Sequence, residues 1–457
     1  MSATPPVVEV LEAQAAEDAQ RRAAGGLVAA GLGPGDRVAF CLPSSGALLV
    51  CVLAAARRGI VPVLLNATLL PAERDALVAD ADPALVVTEA SGLAALLSGP
   101  TTELAPVPQV RPMHYTSGTT GHPKGVWSGL LGARDARDLF EDEAGQWGFD
   151  AGDTHLVCAP LHHSVSVRMA GAALLRGGRV VVLSHFDAGT VLGLLAGRPG
   201  PVGTAPTTTF MAPTALRRVI GHPDAPPHLG ALRLLVHAGA PCPVAVKRAA
   251  LDRVRAGVLW EFYGSTEGQF TVCSPEEWLA RPGTVGRARP GRRIEVDEAG
   301  VVWCHAPRFA RFEYWRDPES TARAWRGDAF TVGDLGRLDE DGYLFLDGRR
   351  DDLVISGGIN VYPVEVEGVL AEVPGVLEVA VFGVHDDEWG ERVCAAVVGD
   401  VDPQALRHHA ERRLAPYKRP KAYFAVGELP HTATGKLRRC DLPAAVGLEP
   451  HRTPTGD

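Results

Sequence analysis

Lysine is scarce in this sequence. Five of the 45 basic residues are lysines (Lys124, Lys247, Lys418, Lys421 and Lys436), which leaves 40 arginines. Where arginine is so favoured, a retained lysine draws attention as a place that needs a compact, mobile ammonium and not a planar fork. A basic excess is missing too. Acidic residues number 54 and the formal net charge is -9, which removes a chain-wide electrostatic footprint for nucleic acid. The longest apolar stretch, Ala47 to Ala56, stops at Arg57 and Arg58, short of the roughly 20 residues that cross a bilayer. The eight cysteines form no CxxC pair and no zinc spacing, so they are expected to be reduced and mostly buried. The opening MSATPPVVEVLEAQAAEDAQRR lacks a basic segment followed by an apolar core. It therefore does not resemble a secretory signal, and a soluble, cytoplasmic protein is expected.

The length, 457 residues, suggests two or three domains. Short apolar runs that read as buried strands recur at Arg37 to Leu42, Val61 to Leu65, Ala84 to Thr88, Val180 to Leu183, Leu232 to Val236 and Val258 to Phe262. Helical patterns lie between many of them, which predicts an α/β architecture of mixed sheets with substantial parallel pairing. Pro282 to Gly291 reads as a turn into a more β-rich region ending near Gly348. The first domain is expected over residues 1–348, a hinge over 349–352, and a small α+β domain over 353–457. In that second domain Pro363 is placed to begin a helix with Glu365 and Glu367 in its first turn, and Pro374 with Gly375 to stop it.

One loop stands out: Tyr115 to Val126 reads YTSGTTGHPKGV. Gly118 and Gly121 free the backbone to form an anion nest, Thr116, Ser117, Thr119 and Thr120 add hydroxyl donors, and Lys124 supplies a point charge. The loop reads as a cradle for a nucleoside triphosphate, although its lysine comes last, unlike the Walker order. A Ser/Thr/Gly run alone is as readily a polar surface loop.

Five further segments follow it in order: PLHHSV from Pro160, HAGAPCP from His237, YGSTE from Tyr263, VGDLG from Val332 with GRRDD from Gly348, and PHTATGKLRR from Pro430. Together they resemble the adenylate-forming superfamily of acyl-CoA synthetases, peptide-synthetase adenylation domains and luciferases, over about Gly35 to Leu442. HAGAPCPVAVKRA and SPEEWLARPGTVGRARPG look most like bacterial acyl-CoA synthetases. The resemblance implies a large AMP-binding domain and a small mobile lid. It also implies ATP-dependent activation of a carboxylic acid to an acyl-adenylate with loss of pyrophosphate, then transfer to the thiol of CoA, with Mg²⁺ as cofactor.

By the same resemblance, Thr116 to Gly121 and Lys124 hold the β- and γ-phosphates. Thr266 contacts the α-phosphate, and Glu267 ligates Mg²⁺. Tyr263 and Gly264 meet adenine, with the backbone of Gly239, Ala240 and Pro241 at its edge, while Asp334 and Arg349 hold the ribose hydroxyls. Lys436 is the catalytic ammonium, bridging the carboxylate and the α-phosphate. His163 lies beside the acid, in a pocket with His162, Ser164, Arg168, His237 and Gly239. Asp351 falls at the hinge, and Gly357 and Gly358 on the face that receives CoA. An inward Arg168 would suit a polar or anionic substrate; a surface arginine is the expected outcome.

Several positions depart from the family pattern: His122 in the phosphate loop, Val332 for a common threonine, His162 for an aromatic residue, and a condensed stretch from Thr88 to Val110. They leave two other readings open. In one the acyl group is loaded onto a carrier-protein thiol. In the other the activated acid is nitrite, used to diazotise an aryl amine in natural-product biosynthesis.

Overall fold

A computed structural model describes residues 5–116, 123–197, 203–349, 352–356, 359–386, 389–431 and 437–448. The chain divides into two compact units, Met1–Ile294 with Cys304–Phe330, and Glu295–Trp303 with Thr331–Asp457. The hairpin over 334–349 thus falls in the second unit, ahead of the hinge position expected at 349–352.

Two sheets organise the first unit. The anticipated strands are present as Arg37–Phe40, Val61–Leu64, Leu85–Val87, Arg179–Leu183, Leu234–His237 and Leu259–Gly264, with ends shifted by one or two residues. In the eight-stranded sheet the strands beginning at 179, 154, 208, 234 and 259 run parallel in that order. Antiparallel strands close both edges. The six-stranded sheet has a parallel centre and continues through the antiparallel hairpin of Met113–Thr116 and Lys124–Trp127 to the edge strand Glu313–Tyr314, also antiparallel.

Buried parallel strands need cover on both faces, and Val180 to Leu183, buried at every position, has it. On one face Val236, Phe262 and Phe210 pack with Val167 and Ala170 of the helix Ser164–Leu175 and with Leu49 and Leu53 of the helix Gly46–Arg57. That core also takes Val38, Phe40 and Leu64 from the second sheet. On the other face Leu235, Leu259 and Met211 meet the helices Ala188–Leu195, Pro213–Ile220 and Val244–Leu251. The apolar run at Ala47 becomes a helix buried on all sides, started by Ser45, whose hydroxyl accepts from Leu48 N at 3.1 Å. Among the described residues no helix is long and apolar enough to cross a membrane. The cysteines are free; six are buried, Cys242 is half-buried and Cys440 is exposed.

The second unit is a five-stranded sheet with helices Pro363–Leu370 and Pro403–Arg413 packed on Val354, Val381, Val393 and Val397. Pro363 opens its helix as predicted, with Glu365 in the first turn. Glu367, expected to share that duty, lies one turn further on. There it accepts from Val381 N at 2.7 Å and pairs with Arg439, so it ties helix to sheet and does not answer the helix dipole.

Candidate active site

The phosphate-loop motif sits on the hairpin. Thr116 and Lys124 are register partners that close its mouth, and Thr116 Oγ1 donates to Lys124 O at 3.4 Å. Ser117, Gly118, Thr119, Thr120 and Gly121 lie outside the described residues. Lys124 Nζ donates to Ser320 Oγ at 2.7 Å, stands 4.0 Å from Asp317 Oδ2 and lies 5.2 Å from the centre of the Tyr314 ring. The Tyr314 hydroxyl in turn donates to Glu267 Oε1 at 2.9 Å. One tyrosine therefore joins the loop's cation to the carboxylate expected to face a metal.

The residues expected at the adenine edge lie at the carboxyl ends of two neighbouring parallel strands, where open α/β sheets bind ligands. His237 and Glu261 are register partners, and two residues beyond them come Gly239 and Tyr263. Gly239 turns at φ +91°, which a side chain would strain, and carries the chain through Ala240 into Pro241 at the surface. The Tyr263 ring lies 4.7 Å from Phe270. At Gly264 a Cβ would come within 2.7 Å of Gly268 O, so only glycine permits the tight turn that presents Thr266 and Glu267.

Glu267 is buried and is the hard-oxygen donor of this turn. Among the described residues no group of three His, Cys, Asp or Glu could hold a metal unaided. This donor set fits Mg²⁺, which binds through one or two carboxylates and takes its remaining ligands from substrate phosphates and water.

His163 begins the helix Ser164–Leu175, its ring 4.6 Å from that of His162. Burial pushes His162 down to about 4, and its carbonyl accepts from His114 Nδ1 at 2.9 Å. Arg168 is the correction here. Expected at the surface, it is 14% exposed because Glu143 draws it inward: Arg168 Nη1 and Arg111 Nη2 both donate to Glu143 Oε1, at 3.2 and 2.7 Å. Burial alone would raise the Glu143 carboxyl, but the two guanidiniums overcome it and hold it at about 2. A small cavity lined by Ser164, Arg168, Arg111, His114, Trp127 and Thr266 opens beside this cluster. The structure thus brings Ser164, Arg168 and Thr266 together.

His237 does not line that cavity. It shares the sheet face of Leu235 and Leu259, buried 3.9 Å from Glu261, which pairs with Lys247 from the helix Val244–Leu251. Burial and the neighbouring ammonium keep His237 neutral, far below the usual histidine range. Lys247 also lies 4.7 Å from the centre of the Trp278 ring.

In the second unit Asp334 is buried and stands in register opposite Arg349 across the hairpin of Asp334–Leu338 and Leu344–Arg349. Asp351, Gly357, Gly358 and Lys436 lie outside the described residues. Sequence reasoning missed Tyr314, Ser320, Arg111 and Glu143. No spacing links Tyr314 or Ser320 to Lys124, since Ser320 is 196 residues away; an acidic residue in the last turn of the helix Ala133–Gly145 was the one available hint of Glu143.

A family model described as AMP-binding enzyme matches residues 13–303, and one described as AMP-binding enzyme C-terminal domain matches 365–436. The chain is 33% identical to a feruloyl-CoA synthase of Amycolatopsis sp, over 93% of this chain and 92% of that one. It is 31% identical to the long-chain-fatty-acid–CoA ligase FadD13 of Mycobacterium tuberculosis, over 92% and 90%. Among solved structures, the amide bond synthetase McbA from Marinactinospora thermotolerans superposes with a TM-score of 0.81 at 30% identity, covering 94% of each chain. With the hairpin cation, the Thr266–Glu267 turn and both family matches in place, the chain belongs to the AMP-binding enzymes of the adenylate-forming superfamily and is similar to their acyl-CoA synthetases.

Proposed function

We propose that the protein is an AMP-forming acid–CoA ligase that works in the cytoplasm. In the first step a carboxylate oxygen attacks the α-phosphorus of ATP, the new O–P bond forms as the α–β bridge breaks, and pyrophosphate leaves. In the second the thiolate of CoA attacks the acyl carbonyl and AMP departs. Both partners of the first step are anions, so neutralising and aligning charge is the main task. The observation that carries the reading is the Lys124–Tyr314–Glu267 chain, which fixes a phosphate-directed cation and a hard-oxygen donor to one tyrosine.

In this reading Lys124 and the loop hold the departing pyrophosphate, and Thr266 steadies the α-phosphate. Glu267 would hold Mg²⁺, which offsets phosphate charge when bound. Tyr263 and the backbone at Gly239 to Pro241 receive adenine, and Asp334 with Arg349 the ribose. Lys436 supplies the ammonium at the reacting oxygens. We assign residues 1–348 to the nucleotide domain and 353–457 to a lid that pivots at Asp351, exchanging the Lys436 face for the Gly357–Gly358 face when CoA enters.

The test is acid-dependent exchange of pyrophosphate into ATP, followed by thioester formation with CoA. Lys436→Ala should lower exchange by about 100-fold or more while calorimetric ATP binding persists; unchanged exchange would refute its role. The likeness to an amide bond synthetase favours one alternative acceptor, an amine. AMP release that needs an amine and yields no thioester would replace CoA, and a carrier-protein thiol is tested in the same assay.

A further inference from the structure

The first unit buries more positive than negative charge beside Thr266. Arg111 and Arg168 share the single carboxylate of Glu143, and Arg289 and Arg292 share that of Asp142, at 3.2 and 2.9 Å. Four guanidiniums thus face two carboxylates. Arg289 and Arg292 are each 3% exposed, while Arg111 and Arg168 are 15% and 14%. Among the described residues, the Nε–H groups of Arg111, Arg168 and Arg289, all shielded from solvent, have no acceptor. Burial, with Arg292 and Arg168 nearby, pushes Arg289 down to about 10 although Asp142 opposes the shift. Gln269 is neutral and accepts from Arg289 at 2.6 Å, and burial keeps His114 and His162 uncharged.

Buried charge without a counter-charge is expensive, by several kcal/mol for an ion left unpaired. An anion in the adjoining cavity would supply counter-charge to Arg111 and Arg168, which line it. A long acyl chain there would cover those guanidiniums without satisfying them. The cavity is small; Pro112, Val126, Trp127 and Phe312 form the apolar part of its wall, and Arg111, Arg168, Ser164 and His114 are the groups there that can meet an oxygen acceptor.

We propose that this cavity is the specificity subsite for the acid and that it selects a compact, hydrophilic oxyacid, whose negative charge meets Arg168 and Arg111, over long-chain and aryl acids. The inference rests on the adenylation reading and narrows its substrate. Two sources share the chemistry: a short dicarboxylic acid, whose second carboxylate would face the arginines, and an inorganic oxyacid such as nitrite. In both, an acid oxygen bonds to the α-phosphorus as pyrophosphate leaves with the electrons of the broken bridge, so no oxidant or reductant is needed.

Pyrophosphate exchange on the full chain with malonate, succinate, nitrite, benzoate, ferulate and octanoate tests it. At least one compact anion should exceed every apolar acid in kcat/KM by about 100-fold, and Arg168→Gln should remove about 100-fold of that, mainly through KM, with KM for ATP unchanged. Arg168→Lys, which keeps the charge and loses the fork, should recover part of the loss, and calorimetry with the preferred anion should show the same order of affinities. A dicarboxylate preference identifies the organic source, and a nitrite preference the inorganic one. If octanoate, benzoate or ferulate is preferred, or if Arg168→Gln stays within threefold of the parent on every acid, the subsite is overturned while adenylation stands. Exchange with none of a wider set of acids would overturn the adenylation reading itself.

Discussion

Two buried polar clusters of the first unit, built from the same kinds of side chain, differ in their balance. Beside the strand ends, Lys247 meets Glu261, and His237 is held neutral next to them. One cation answers one carboxylate. Around the end of the helix Ala133–Gly145, four arginines answer two carboxylates. A balanced cluster is complete within the chain and contributes to the fold alone, whereas an unbalanced one leaves work for a ligand. The difference also explains the choice of cation. A compact ammonium suits one carboxylate under a tryptophan ring, while a planar fork can share a carboxylate and still present a donor elsewhere.

The largest expected effect is on the balanced side. Lys247→Met would leave Glu261 buried without its cation, a loss of about 3–5 kcal/mol, and adding Glu261→Leu should restore most of it. Burial already raises the Glu261 carboxyl and the Lys247 ammonium opposes that rise. Without Lys247 the folded pKa climbs further, so the single variant is steadiest below the unfolded carboxylate pKa and weakens as pH rises through the folded value. Urea unfolding at pH 5 and pH 8 measures both effects. Equal losses at the two pH values would mean that Glu261 does not titrate as a buried, unpaired acid.

A second effect separates the buried histidines from Glu143 by pH. Burial holds His114 and His155 near 3 and His162 near 4 in the folded chain, against 6.5 when unfolded. As pH falls below 6.5 the unfolded chain gains protons that the folded chain refuses, so stability is lost down toward the folded values. Each histidine contributes about 1.4 kcal/mol per pH unit in that window. Glu143, near 2 when folded and 4.5 when not, contributes stability that is complete above 4.5 and lost as pH falls toward 2. His155→Asn should therefore flatten the loss between pH 6.5 and 4.5, and Glu143→Gln should alter only the part below 4.5. Urea midpoints across pH 3–8 check the separation. A Glu143→Gln variant with a changed slope near pH 6 would break it.

These clusters also mark where the sequence was readable. The six strands and the helix opened by Pro363 rest on local signals, apolar runs and a proline start, whereas the segment read as a loop from Tyr115 to Val126 begins and ends in the two strands of a hairpin. Motif order proposes Tyr263, Thr266 and Glu267 for the site, and each lies within a few residues of a strand end or turn that positions it. Arg168 was misjudged as a surface residue since its direction is decided by Glu143, 25 residues earlier, and Glu143 is in turn fixed by Arg111, 32 residues before that. Tertiary ion pairs leave no period in a sequence. The same holds for Lys247, whose scarcity marked it without revealing whether it binds a ligand or a carboxylate.

The smallest effect concerns Lys124, which stands between the two cases. Its cluster holds one ammonium, the half-exposed Asp317 at 4.0 Å, a neutral hydroxyl and an aromatic face, so the charge is only partly answered before a phosphate arrives. Ser320→Ala removes the hydrogen bonds that Ser320 Oγ accepts from Lys124 at 2.7 Å and from Arg323 at 2.8 Å, but leaves the ring and Asp317 in place. A hydrogen bond from a charged donor is worth about 1.5–3 kcal/mol net, but the ammonium keeps its other partners, and the cost that reaches ATP binding is mainly that of ordering the freed side chain again. KM for ATP should therefore rise about threefold with kcat nearly unchanged, as steady-state exchange kinetics would record. If Ser320 only positions Lys124, then Ser320→Ala and Lys124→Ala together should cost no more than Lys124→Ala alone. An extra loss of tenfold in the double variant would mean that Ser320 meets the nucleotide itself.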